Sequence, residues 1–221
     1  MMQSRGEVGA SGSAAAVDLG SVRLPPFVLV SGNPGKVAET ERILGRALRC
    51  RAIDLPEIQS ADLRTVLSAK AEEAWRRLSE PLVVEETGLG LAALNGFPGP
   101  LVKWMLAAIG SEGIGRLAQR LGEPSAVAEC AVCYCDGERR IVGFGATPGQ
   151  LLGAPRGDGG FGWDPVFVPR WQPLPAGQRP LTYAELGDAE KDRSGHRGLA
   201  WRDLVGRLVE AGLAQPASPA R

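Results

Sequence analysis

Six residues, Ser31-Gly32-Asn33-Pro34-Gly35-Lys36, join an apolar run to a helical stripe and constrain this chain more than any other segment. The preceding Pro26-Phe27-Val28-Leu29-Val30 reads as a buried strand over 26–31. Val37, Ile43, Leu44 and Leu48 then recur loosely at helical spacing to about residue 48, with Glu39 and Glu41 in the early turns. Glycines on a strand-to-helix turn let backbone N–H groups approach an anion, and the positive end of the helix favours it. Lys36 adds a mobile point charge suited to phosphate. The spacing is not the longer Gly-x-x-x-x-Gly-Lys loop of common nucleotide hydrolases. By itself the segment also reads as an ordinary loop with one surface lysine.

The 221 residues can bury a sizeable core, and 25 basic residues cancel 25 acidic ones. No bulk field therefore points to nucleic acid or to a membrane surface. No apolar run reaches the length a bilayer needs. Residues 1–22, rich in Ala, Gly and Ser and without the apolar segment of a secretory signal, read as a disordered extension. A single domain is expected over 23–213, and a loose tail over 214–221. Cys130, Cys133 and Cys135 accompany Cys50, but His196 is the only histidine, so no second metal-binding pair exists. Asp136-Gly137 followed by Ile141-Val142-Gly143-Phe144 signals a hairpin at 126–146, which makes these strand cysteines and suggests a reducing, cytoplasmic setting.

Further strands are expected at 49–54 and 82–84, the latter ending at Glu85-Glu86-Thr87-Gly88, with a possible additional strand at 89–94. Leu63, Val66, Leu67, Ala71, Ala74 and Leu78 predict a helix over 63–78. Helices at 100–109 and 112–121 follow, with Ser111 able to cap the second. Leu199, Trp201, Leu204, Val205 and Leu208 mark a closing helix. Strands alternating with helices, then a hairpin, predict an α/β protein with a mixed sheet and a smaller lobe. Ligands in such sheets bind beyond the carboxyl ends of strands, where both the 31–36 loop and Glu85-Glu86 are expected.

Beyond the 31–36 turn, three segments and a few single charged residues carry candidate chemistry. Glu85 and Glu86 could bind Mg²⁺ or take a proton from water, or could form a solvated acidic turn. Glu57 is a further possible ligand on an exposed turn. Gly159-Gly160-Phe161-Gly162-Trp163-Asp164-Pro165 sets two aromatics among glycines, suited to stacking on a base or to anchoring a turn. Lys191 and the pair His196-Arg197 could reach a phosphate and a carbonyl oxygen, although a lone histidine is usually structural. Lys70 and Lys103 could face a cleft or coat a solvated surface.

SGNPGK at 31–36, VVEETGL at 83–89, GGFGWDPVF at 159–167 and TYAELGDAEKDRSGHR at 182–197 together resemble the inosine triphosphate pyrophosphatase family. DLPEIQ at 54–59 and ALNGFPGPLVKWML at 93–106 look closest to its eukaryotic-type branch, and the likeness covers about 26–211. The resemblance implies an elongated mixed β-sheet flanked by helices, forming two lobes with a central nucleotide cleft. It also implies a Mg²⁺-dependent homodimer that hydrolyses ITP, dITP and XTP to the monophosphate and pyrophosphate. By position, Ser31, Gly32, Asn33, Pro34, Gly35 and Lys36 would hold phosphates with Lys70 and Thr87. Glu86 would bind metal and activate water, with Glu85 beside it, and Glu57 would be a second metal contact. Lys103 and Lys191 would line the pocket and Phe161 would stack on the base. Gly162, Trp163, Asp164, His196 and Arg197 would frame the base edge. Arg197 only donates, so it would favour a 6-oxo purine over adenine. Two positions depart from the family pattern: Glu86 stands where aspartate is common, and Gly195 where serine is. A pyrophosphatase for other modified nucleotides, or a binding module without turnover, are the alternative readings.

Overall fold

The computed structural model describes residues 19–172 and 177–216. In chain order its elements are β1 (Val22–Arg23), β2 (Val28–Val30), α1 (Pro34–Leu44), β3 (Cys50–Arg51), α2 (Leu63–Leu78), β4 (Leu82–Leu91) and β5 (Pro98–Gly99). Then come α3 (Val102–Arg120), β6 (Ser125–Cys135), β7 (Arg140–Leu151), β8 (Phe167–Pro169), α4 (Asp188–Ser194), α5 (His196–Glu210) and β9 (Gln215–Pro216). Among the described residues, one mixed sheet runs in the order β3-β2-β4-β6-β7-β8, with β5 also paired to β4. β2 is parallel to β3 and β4, whereas β4, β6, β7 and β8 are successively antiparallel.

The placement of the acidic pair follows from β4. All ten of its residues are buried, and β6 pairs with it from Leu82 opposite Cys135 to Leu91 opposite Ala126. Glu85 and Glu86 are therefore mid-strand rather than at the expected strand end, and 82–84 and 89–91 are one strand. The neighbour on the other side, β2, stops at Val30 opposite Val84. Beyond that pair β4 has lost its parallel partner, and a crevice opens beside Glu85. The argument from carboxyl strand ends thus applies to β2, not to β4.

Strand alternation sends successive side chains to opposite faces. Val83 packs with Leu29, Leu44, Trp201 and Leu204 between the sheet and α1 and α5. Val84 packs with Val30, Leu67 and Ala71 beneath α2. A third cluster joins Leu89 and Leu91 to Val102, Ile114, Val166 and Phe167, and makes a second lobe with α3. By the same alternation Glu85 faces α1 and α5, while Glu86 faces α2.

The helix over 63–78 forms as the periodicity predicts, with the Asp62 side chain accepting the Thr65 N–H. The first helix ends at Leu44 rather than near 48, because Gly45 takes a left-handed cap at φ 62°. β3 keeps only two of the six expected strand residues, since β2 is too short to pair with more. The expected helices at 100–109 and 112–121 form one element broken at Gly110, at φ 67° and ψ 175°. The hairpin is longer than 126–146, and Cys130, Cys133 and Cys135 are buried, unpaired thiols on β6. Most of the Ala/Gly/Ser-rich extension, up to residue 18, lies outside the described residues, as do 217–221 of the tail. The inner ends of both are built into the fold. Leu19 and Val22 are buried, and β1 pairs with β9 beside buried Ala214.

Close approach of α5 to β7 seats the helix that carries His196 and Arg197. A Cβ on Gly145 would lie 2.2 Å from the His196 carbonyl oxygen, and one on Gly143 would lie 2.3 Å from the Leu204 amide. Gly145→Ala is expected to destabilise the fold by about 1–3 kcal/mol. A lower urea midpoint with an unchanged slope is the readout.

Candidate active site

Where β2 stops, a cleft of about 1120 Å³ opens between the two lobes. The turn after β2 contributes Ser31, Gly32, Asn33 and Lys36, the segment after β3 contributes Glu57, and α2 contributes Lys70. β4 supplies Glu85, Glu86 and Thr87, and α3 supplies Lys103. The loop after β7 brings Phe161, Gly162, Trp163 and Asp164, and α4 and α5 bring Lys191, His196 and Arg197. Pro34 and Gly35 do not line this cleft. Pro34 begins α1 and borders a shallow neighbouring depression, and a Cβ on Gly35 would meet the Phe161 ring at 2.8 Å. Gly35 thus admits an aromatic ring, while Gly32 faces open space. Asn33 caps α1 by accepting the Lys36 N–H at 3.2 Å, and Ser31 Oγ accepts the Asn33 N–H at 3.2 Å. The turn is held by its own side chains before any ligand arrives.

On the α2 face, Glu86 is in direct ion-pair contact with Lys70, whose ammonium also lies 3.4 Å from Glu57. Lys103 pairs with the other oxygen of Glu57 at 2.8 Å. Burial alone would lower the Lys70 pKa, but Glu86 and Glu57 outweigh it and raise it. Burial pushes Glu57 the other way, yet Lys103 and Lys70 hold its carboxyl below the ordinary value. Among the described residues no group of three or more His, Cys, Asp or Glu side chains is arranged around a metal position. Glu57 and Glu86 nevertheless already share one cation. That donor set fits Mg²⁺, which takes one or two carboxylates and completes its shell with water and phosphate.

On the opposite face Glu85 is buried against Arg197, at 3.1–3.2 Å from Nε and Nη2, with Lys36 at 3.5 Å. Burial would raise the Glu85 pKa, but Arg197 and Lys36 together lower it, which makes Glu85 a poor proton acceptor. Nη1 of Arg197 pairs with Glu39 at 2.8 Å, and Glu39 also meets Lys191 at 3.3 Å. Lys191 in turn reaches Asp164 at 2.7 Å, and Asp164 accepts the Phe161 N–H at 2.8 Å. Burial raises the Asp164 carboxyl despite Lys191. Burial, then Arg197 and Lys191, drive His196 well below its usual range, so its imidazole is neutral. Its Nδ1 and the Trp163 Nε1 are buried without a hydrogen-bond partner. The Phe161 ring has the Lys191 ammonium 5.0 Å and the Arg197 guanidinium 5.6 Å from its centroid.

Sequence reasoning missed the parts played by Glu39, Arg42 and Asp192. Glu39, taken only as an early-turn acid, is 2% exposed and links Lys191 to Arg197. Arg42 grips Asp192 with two hydrogen bonds, at 2.7 and 3.1 Å, and so ties α1 to α4 beside Lys191. Lys36, Glu39 and Arg42 recur every third residue, which aligns them along one side of a helix, and that spacing was the available signal.

The Ham1 family model matches residues 27–207. An inosine triphosphate pyrophosphatase of Batrachochytrium dendrobatidis is 40% identical over 174 residues, which is 77% of this chain and 87% of that protein. A dITP/XTP pyrophosphatase of Pyrobaculum aerophilum is 35% identical over 188 residues, covering 84% of this chain and 97% of its own. Among solved structures, a HAM1 protein from Coxiella burnetii matches with a TM-score of 0.67 at 27% identity, over 85% of this chain and 100% of that one. With a family match spanning nearly all the residues that build the sheet and the cleft, the chain belongs to the Ham1 family.

Proposed function

We propose that this chain hydrolyses non-standard purine nucleoside triphosphates, ITP, dITP and XTP, to the monophosphate and pyrophosphate. One observation carries the reading. Lys36, Glu86, Phe161 and Arg197 border a single cleft, though 161 positions separate the first from the last in sequence. Relatives in the same family are named for this reaction.

Lys36, Lys70 and Lys103 meet the triphosphate, with Ser31, Gly32 and Asn33 on its phosphates and Thr87 beside them. Glu57 and Glu86 would hold Mg²⁺, which when bound would supply positive charge to the pyrophosphate leaving group. Glu86 takes the proton of the water that attacks the α-phosphorus as the α–β bridging bond breaks. Glu85 has the other task of fixing Arg197. The guanidinium has five N–H groups, so donors remain beyond its contacts to Glu85 and Glu39. They meet the 6-oxo group of hypoxanthine or xanthine, whereas the amino group of adenine would leave them unmatched. Phe161 stacks on the base and Lys191, His196, Trp163 and Asp164 shape its pocket. The protein works as a cytoplasmic homodimer in this reading, a state that light scattering on the purified protein would read.

Incubation with ITP and Mg²⁺ is expected to yield IMP and pyrophosphate, and Glu86→Gln to lower kcat by about 10²–10⁴-fold. Release of orthophosphate alone, or cleavage of GTP as fast as ITP, would overturn the assignment. Phe161→Ala removes a base-stacking surface worth about 1–3 kcal/mol. It is expected to raise KM for ITP roughly tenfold or more, with a smaller change in kcat.

A further inference from the structure

Each of the four oxygens of the Glu57–Glu86 pair already has a donor. Glu57 Oε1 faces Lys70 at 3.4 Å and Oε2 faces Lys103 at 2.8 Å. Glu86 Oε2 contacts Lys70 directly, and Oε1 accepts the Thr87 N–H at 3.3 Å. The Lys70 ammonium is thus an internal cation at the place where a metal would use these carboxylates. Its side chain is 12% exposed, and Glu86 is 11% exposed, so solvent screens the contact poorly. Lys103, at 64% exposed, is the looser of the two lysines.

We propose that Lys70 acts as a counter-cation that keeps a divalent metal off Glu57 and Glu86 until a triphosphate draws its ammonium away. This rests on the reading of that pair as the metal-binding carboxylates. A metal arriving alone must displace a like-charged ammonium from oxygens it already occupies. A nucleotide arriving alone must compete with Glu57 and Glu86 for the same ammonium. Arriving together, the phosphates take the lysine and the carboxylates take the metal, so no charge is left unpaired. Metal and nucleotide therefore bind cooperatively, and by linkage each strengthens the other by the same factor. Residue 86 makes the device possible in this chain. Its strand neighbour Glu85 points to the opposite face, so of the two adjacent glutamates it is Glu86 that extends toward α2 and Lys70.

Mn²⁺ binding, followed by electron paramagnetic resonance without nucleotide, tests the idea directly. Lys70→Met keeps most of the side-chain volume and removes the ammonium, and it is expected to bind Mn²⁺ at least tenfold more tightly than the unaltered protein. Equal or weaker binding by a folded Lys70→Met protein would overturn the proposal. So would tight binding that survives Glu57→Gln and Glu86→Gln in that background, because the ion would then sit elsewhere. A second measurement needs no variant. After correction for the complex the two form in solution, Mn²⁺ and inosine 5′-(α,β-methylene)triphosphate are expected to tighten each other's binding at least tenfold, and independent binding would refute the coupling. The Lys70→Met titration contains no substrate. A protein that passes it yet leaves ITP intact would keep this inference and lose the proposed activity.

Discussion

A guanidinium 1% exposed to solvent survives in this fold only because two carboxylates meet it. Arg197 lies in the first turn of α5, Glu85 in the middle of β4 and Glu39 in α1, so one buried charge ties together three elements distant in sequence. Removing either carboxylate would leave a charge inside the protein without full compensation, a loss of about 3–5 kcal/mol for a broken buried pair. The same contacts fix the floor of the cleft. Once α1 and α5 are locked to β4, the positions of Lys36 and His196 follow.

The division of labour between adjacent glutamates is a consequence of pleating. Side chains on a strand alternate, so Glu85 is delivered to the charged network under α5 and Glu86 to the lysines of the α2 side. Two identical residues, one after the other, thereby acquire different chemistry. Glu85 is held ionised by Arg197 and Lys36, which suits an anchor. Glu86 remains beside Lys70 at the edge of the cleft, which suits a group that must exchange partners during a reaction.

Local signals carried much of the architecture. The 63–78 helix was readable from its apolar stripe alone, and the structure adds the Asp62 cap that fixes its start. Apolar runs located β2 and β4, but their extents depend on partners no local pattern encodes. β6 prolongs β4 through two glutamates, and the three-residue β2 limits β3 to two. The four motif segments were readable together because their order along the chain resembles one family, while each alone also fits an ordinary loop, turn or surface patch. Glu39, Arg42 and Asp192 were not, since their meaning lies in contacts across about 150 positions. An exposed-looking acid on a helix becomes part of a buried network only when the distant α4 and α5 pack against it.

Charge balance explains how such a cleft exists in a chain with no net charge. Five cations line it, Lys36, Lys70, Lys103, Lys191 and Arg197, and five carboxylates accompany them, Asp54, Glu57, Glu85, Glu86 and Asp164. Each of those cations has at least one carboxylate of this set within 3.5 Å or in direct contact. Left unpaired in a partly buried cleft, the lysines would repel one another and lose hydration without compensation. Pairing stabilises the empty site, and it also sets a threshold for entry. A weak anion gains little by replacing a well-placed carboxylate, whereas a chain of phosphates that engages several lysines at once gains from each of them. In the proposed reading, preference for a polyphosphate over a single small anion would follow from this internal pairing.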